Sequence, residues 1–281
     1  MDKQAGLTPP VALSQPSISG RPARINVILA RILGRDWKIA LPFVLPIIIL
    51  MGGFILYPFV NAINISLHTR SLITRTEVYV GLDNYTRLLD DSDFIRTLNN
   101  TIEFKVASVI IKFFVGMTIA LTLNSRLPFR SILTAIMLLP WIVPEVVTAL
   151  AWRSIYDPIF GGLNPILQEI GIIDRRVGWL SESHLAMPSV IAVNVWKGIP
   201  FFTILLLAGL KAIEREQYEA AEVDGANAVQ RFRYITLPGL RYVIVVTGLL
   251  SIISTFNTFG LIYLMTGGGH GGETRVYSIL A

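Results

Sequence analysis

Five apolar stretches, residues 39–66, 101–123, 131–152, 185–210 and 240–265, are each long enough to cross a hydrocarbon core as a helix of roughly twenty residues. Lipid offers no water to bare peptide groups, so a spanning segment must satisfy its own backbone, and runs of this length do so as helices. Composition excludes a soluble globule. Of 281 residues, 53% are hydrophobic and 15% charged, with a mean hydropathy of +0.59, which leaves too little polar surface to cover a core. The expected fold class is all-α integral membrane, with five transmembrane helices in this chain.

The net charge of +5 and pI near 9.6 could suit nucleic acid, but the basic residues follow loops and form no aromatic-interleaved patch. Membrane lipid is therefore the expected surroundings, with no nucleic-acid partner. Residues 1–38 carry Pro9, Pro10, Pro16 and Pro22, then Arg21, Arg24, Arg31, Arg35 and Lys38, and read as a cytoplasmic N-terminal tail. The apolar run from Ile39 has span length rather than the short core of a cleaved signal, so an uncleaved anchor is expected. Thirteen Lys and Arg lie on the tail's side: six in the tail, Arg126 and Arg130, and Lys211, Arg215, Arg231, Arg233 and Arg241. Eight lie in the opposite loops. This bias puts the tail and the polar segment 211–239 in the cytoplasm. The organisation expected is a tail (1–38), a first helix with an external loop (39–96) and a core (97–281) holding the 211–239 segment.

Little here suggests chemistry of bond making. The absence of Cys removes disulfides, thiolate metal sites and a Cys nucleophile. His68, His184 and His270 are scattered without metal-ligand spacing, and no nucleophile, base and oxyanion arrangement occurs, so neither a metal nor an enzyme is expected. Residues 267–274 approach the phosphate-loop pattern, but Glu273 replaces its Lys and no strand precedes it. A flexible turn is expected there, and no cofactor for this chain.

Segment 211–239 is the most informative. Glu219-Ala220-Ala221 lies in a strong helix-former run, Asp224-Gly225 supplies a residue able to take positive φ, and Ile235, Leu237 and Pro238 end a second helix before the next span. A helix-turn-helix knuckle follows. Its spacing, E-A-A, three residues, G, nine residues, I-x-L-P, resembles the cytoplasmic coupling loop of ABC importer membrane subunits. Further motifs look like carbohydrate-uptake ABC permeases of the maltose-permease type. They are Val80-Gly81-Leu82-Asp83-Asn84-Tyr85, Leu139-Pro140 with Pro144, and Trp152 followed by Gly161, Gly162 and Asn164. Asn194-x-Trp196-x-Gly198-x-Pro200 and Leu264-x-Thr266-Gly267-Gly268 complete the set. The large external domain of the maltose permease itself is missing.

The resemblance implies an importer permease in a bacterial or archaeal cytoplasmic membrane, working by alternating access. It implies a second homologous permease, two ATP-binding cassette subunits that hold ATP and Mg, and an external solute-binding protein. Such permeases have six spans, so a last helix is expected beyond the segment Ser278-Ile279-Leu280-Ala281. Coupling would fall to Glu219, Ala220, Ala221, Asp224, Gly225, Ile235, Leu237 and Pro238. Sugar would touch a broken fourth span at Gly198 and Phe201 and one face of the fifth at Ser251, Thr255 and Thr258, which are spaced i, i+4 and i+7. Small Ser and Thr residues equally suit close helix packing.

Several ionisable residues inside spans carry competing readings. Glu145, expected mid-helix after Pro144, is either a substrate or gating group or a carboxylate that holds helices together. Lys112 reads as a snorkelling or helix-contact residue. Lys197 recurs beside Gly in permeases of differing substrate and is not read as an anion selector. The solute class expected is a sugar or oligosaccharide, with glycerol phosphate or another polyol as the alternative. An ion-coupled secondary transporter would need no E-A-A knuckle. A non-transporting scaffold would leave the Pro and Gly interruptions of the third and fourth spans without a purpose.

Overall fold

The structure is a computed structural model that describes residues 37–70, 76–125, 127–256 and 258–280. Nearly all of the proposed tail, and Arg126, lie outside the described residues. Two compact units occur, divided between Asn84 and Tyr85.

In the first unit, α1 (Trp37–Met51), a π-helical stretch (Gly52–Leu56) and α2 (Tyr57–Ser66) run on as one rod. Pro58 stands in the first turn of α2, where its missing N–H is tolerated. Large apolar side chains along the rod, such as Phe43, Phe54 and Phe59, are exposed, which only a lipid or protein neighbour makes favourable. A short antiparallel pair, β1 (His68–Arg70) and β2 (Glu77–Tyr79), follows. Asn84 ties it to the rod, donating from Nδ2 to the carbonyls of Ser66 (2.8 Å) and His68 (3.0 Å).

A short amphipathic helix, α3 (Asp83–Asp90), leads into the second unit. That unit is built on two long helices, α4 (Ser92–Asn124) and α8 (Ser183–Ala212), packed along much of their lengths. Asp91 caps α4, accepting from the N–H groups of Asp93 (2.8 Å) and Phe94 (3.3 Å). Buried small polar residues, Ser108 on α4 and Thr203 on α8, let the helices approach. Between them in sequence lie α5 (Arg130–Ile142), α6 (Glu145–Ile155) and α7 (Leu163–Glu169). Asn164 is buried on α7; its Oδ1 accepts from Trp179 Nε1 (2.9 Å), and its Nδ2 donates to the Val177 carbonyl (3.0 Å), which closes the loop after α7.

After α8 come α9 (Arg215–Val223), α10 (Ala228–Arg231), a π-helical stretch (Phe232–Thr236) and α11 (Leu237–Gly239). The described chain ends with α12 (Arg241–Phe256), α13 (Gly260–Thr266) and α14 (Tyr277–Leu280). Among the described residues, three helices are long and apolar enough to span by themselves: 41–66, Ser92–Asn124 and Ser183–Ala212.

Three expectations need correction. The third stretch is not one helix: α5 and α6 meet at 94°, because Pro144 drives Val143 into an extended conformation (φ −63°, ψ 129°). Glu145 is therefore the first residue of a helix, not a mid-helix group. The fourth stretch is unbroken, since α8 continues through Pro188 and Pro200. Its burial against α4 lets the hydrogen bonds lost at the two prolines be absorbed without a break. The break lies in the fifth stretch instead, between α12 and α13. Among the described residues the three straight helices become up to five spans if the α5–α6 pair (94°) and the pair of 228–239 with α12 (65°) each count as one.

Candidate functional site

The knuckle is built from short-range chemistry. Gly225 takes φ +79°, a conformation that costs other residues, and its N–H bonds the Glu222 carbonyl (3.1 Å). Asn227 and Gln230 form a capping box that starts α10. Two bonds close the turn: Tyr218 OH shares a hydrogen bond with Thr236 Oγ1 (2.9 Å), and Arg231 pairs with Glu222. Glu219 is exposed and accepts from Arg215 Nε at 2.8 Å, one helical turn away. Ala220, Asp224, Leu237 and Pro238 are also exposed, while Ala221 and Ile235 are half-buried. Val223 (89% exposed), Val229 and Tyr234 add apolar surface to the same polar segment. At its exit Leu240 is fully buried against Gly209 of α8, where an added Cβ would stand 2.7 Å from Leu240 Cδ2. Tyr218, Thr236, Glu222 and Arg231 escaped the sequence reading. Their pairing crosses 9 to 18 residues and has no local pattern.

The second assembly is a cavity of about 260 Å³, at the small end of ligand sites. Gly198, Phe201, Ser251, Thr255, Thr258 and Glu145 all line it, together with Lys112, Trp141, Asn194, Lys197 and Ser254. Ser251 and Thr255 share a face of α12, but Thr258 lies beyond the end of that helix and reaches the cavity through the turn, not through helical spacing. Glu145 Oε1 accepts the Leu261 N–H at 2.6 Å, so a carboxylate at the start of α6 also caps the first turn of α13. A Cβ on Gly260 would lie 3.0 Å from that oxygen. Arg153 Nη1 repeats the tie at the other end of α6, donating to the Leu264 carbonyl (3.1 Å). Lys197 donates to the Val143 carbonyl and fastens α8 to the α5–α6 break.

Lys112 does not snorkel. Only 5% of it is exposed, and its stem crosses the bare face of Gly198, where an added Cβ would come within 2.5 Å of Lys112 Cε. Asn194 was noted for its motif alone, yet its Oδ1 is buried at the cavity without a hydrogen-bond donor.

The glycine turn at 267–274 is anchored rather than flexible. Arg96 Nη1 donates to the Gly271 carbonyl (2.6 Å) and Asn100 Nδ2 to those of Gly272 (2.8 Å) and Arg275 (3.1 Å). Glu273 accepts from the Gly271 N–H (2.8 Å) and from Ser183 Oγ (3.1 Å). Its own backbone N–H and that of Gly271 hold its carboxyl below the usual glutamate range. Likewise Asp157, bonded by the N–H groups of Phe160 (2.7 Å) and Ile159 (2.9 Å), sits below the usual aspartate range. Among the described residues no group of His, Asp or Glu could hold a metal ion.

Residues 112–281 match the family described as binding-protein-dependent transport system inner membrane component. The trehalose/maltose transport system permease protein MalF of Thermococcus litoralis is 38% identical over 91% of this chain and 86% of its own length. The sulfoquinovosyl glycerol transport system permease protein SmoG of Agrobacterium fabrum is 32% identical over 87% and 79%. A solved bacterial alginate ABC transporter, in complex with an alginate pentasaccharide-bound periplasmic protein, superposes with a TM-score of 0.71 at 27% identity, covering 90% of this chain and 84% of that one. The match in sequence over the knuckle and the cavity, and in fold over most of the chain, establishes that it belongs to the family of binding-protein-dependent transport system inner membrane components.

Proposed function

We propose that this chain is a permease subunit of an ABC importer that carries a sugar or oligosaccharide, with residues 198–201, 251–258 and Glu145 lining the path. The observation that carries the reading is the single cavity on which residues from α4, α6, α8 and α12 converge, in a chain whose relatives are saccharide permeases. Those relatives favour a saccharide over the glycerol-phosphate and ion-coupled alternatives. An external binding protein delivers the solute, a reading supported by the alginate transporter in complex with its pentasaccharide-bound periplasmic protein. A second permease and two ATPase subunits complete the machine, and ATP with its Mg stays on those ATPases.

The knuckle at about 211–239 docks in an ATPase groove through Glu219, Ala220, Ala221, Asp224, Gly225, Ile235, Leu237 and Pro238. Its exposed apolar tip suits such a groove, and the Leu240–Gly209 contact passes the motion to α8. The N-terminal tail and the knuckle face the cytoplasm, and the 267–272 turn faces outside.

Reconstitution with neighbouring-gene ATPases and binding protein tests the reading: ATP-dependent saccharide uptake is expected, and uptake driven by an ion gradient without ATP would refute it. Cysteines placed at Gln230 and Gly269, in a chain without native Cys, test the orientation. An impermeant reagent on intact cells should label only the Gly269 variant, and labelling at Gln230 inverts the topology.

A further inference from the structure

The charges around the cavity do not cancel. Glu145 is engaged by the Leu261 N–H, and its field acts on Lys197, which itself donates to the Val143 carbonyl. Lys112 has no such company. It is 5% exposed, lines the cavity, and makes neither an ion pair nor a hydrogen bond among the described residues. The bare face of Gly198 is what admits its stem, so the close approach is built by the backbone and not left by loose packing. Two turns earlier on the same face of α4, Lys105 is 9% exposed and rests its ammonium 2.8 Å from the centroid of the Phe256 ring rather than on a carboxylate. The acidic residues of α4 do not answer them: Asp93 lies 3.8 Å from Arg275, and Glu103 is exposed on another face.

An ammonium withdrawn from water and left unpaired is strongly disfavoured, whereas one that meets an oxyanion is neutralised. Asn194 Oδ1 adds an acceptor without a donor on the same cavity, which suits a hydroxyl. We propose that Lys112 is a specificity-determining residue whose ammonium binds an oxyanion of an acidic saccharide, while Asn194 accepts a hydrogen bond from a hydroxyl of the same solute. This rests on the sugar-permease reading and narrows it to saccharides that bear a carboxylate or a sulfonate.

The test uses the complete importer with its binding protein in vesicles, and its readout is the ratio of acidic to neutral uptake within one preparation. Maltotriose is the neutral probe, trigalacturonate the carboxylate probe and sulfoquinovose the sulfonate probe. The expected result is preference for one acidic probe, which also identifies the oxyanion. Lys112→Gln should lower the acidic-to-neutral ratio about tenfold or more, and Lys112→Arg should keep the preference. Should the Gln variant fail to assemble, loss of acidic preference in an assembled Arg variant or retention of it decides the matter. Preference for maltotriose in the native complex overturns the proposal. So does an unchanged ratio in Lys112→Gln, including the case where the variant only loosens the permease pair, since the counter-ion is then a carboxylate of the second permease. Uptake of none of the three overturns the sugar reading and this proposal together, a result distinct from the others.

Discussion

The knuckle and the cavity are two ways of building a functional surface from one chain. The knuckle is contiguous, exposed and held by contacts within about thirty residues: a capping box, a positive-φ glycine and two short-range side-chain pairs. The cavity gathers residues as distant as Lys112 and Thr258, and its key contacts join Glu145 to Leu261 and Gly198 to Lys112. One surface is specified by local backbone chemistry. The other exists only when six helices, α4, α5, α6, α8, α12 and α13, are in place. Damage to the first should abolish coupling altogether, while damage to the second should be graded.

The largest effect is expected from Gly225→Pro. It imposes a φ near −65° where the chain needs +79° and removes the N–H bonded to Glu222, about 1–3 kcal/mol of strain in addition to the lost bond. The ATPase subunits should no longer co-purify, although the spans still insert. Glu219→Lys should act in the same direction, since it sets like charges on Arg215 one turn apart. Normal ATPase association in both variants would remove the contrast between the two regions.

Next comes Gly198→Val, which drives a branched side chain into the Lys112 stem. Overpacking of about 1–3 kcal/mol is expected, with uptake reduced by one to two orders of magnitude and ATPase co-purification retained. Loss of co-purification here would show that the cavity and the knuckle are one cooperative unit.

Graded effects should follow from Thr255→Leu and Phe201→Ala, which remove a hydroxyl and a stacking face from the cavity wall. Unpaired solute hydroxyls cost about 1–3 kcal/mol, or roughly five- to 150-fold in uptake by the assembled complex. If both variants transport normally, these are packing residues.

The smallest effect concerns neither region. Glu273 has its pKa depressed by backbone N–H groups, so its contribution is present above the ordinary glutamate pKa and is lost as pH falls through the lowered folded value. Glu273→Gln should flatten the acid limb of thermal stability of the purified complex and leave neutral pH almost unchanged. An acid limb identical to that of the native protein would mean that the turn is held by Arg96 and Asn100 alone.

Legibility followed contact range. Gly225 needed positive φ because a turn of that length between two helix-former runs demands it, and that demand is visible in the residues themselves. Glu145 was placed mid-helix because apolar content continues smoothly from 131 to 152, and hydropathy does not register that Pro144 extends Val143 and turns the chain by 94°. The converse error fell at Pro200, where a proline in a long buried helix looked like a break. Both prolines carry the same covalent restriction. What differs is the neighbour: α8 is clasped by α4, whereas the α5–α6 corner is free to turn and is then secured by Lys197 and Glu145.

By itself the sequence determined the solvent, the helical class, the positions of the apolar runs and the knuckle with its turn, because hydropathy, propensity and φ preference act over a few residues. It also singled out six residues that line the cavity: Gly198, Phe201, Ser251, Thr255 and Thr258 through the resemblance to the maltose-permease type, and Glu145 as an ionisable group in an apolar run. Only the tertiary structure decided which runs stay straight, that Thr258 joins Ser251 through a turn, and that Lys112 is buried against Gly198 instead of reaching for an interface. Those outcomes depend on which side chain a distant backbone can accommodate, and packing between helices far apart in sequence leaves no periodic trace in either one.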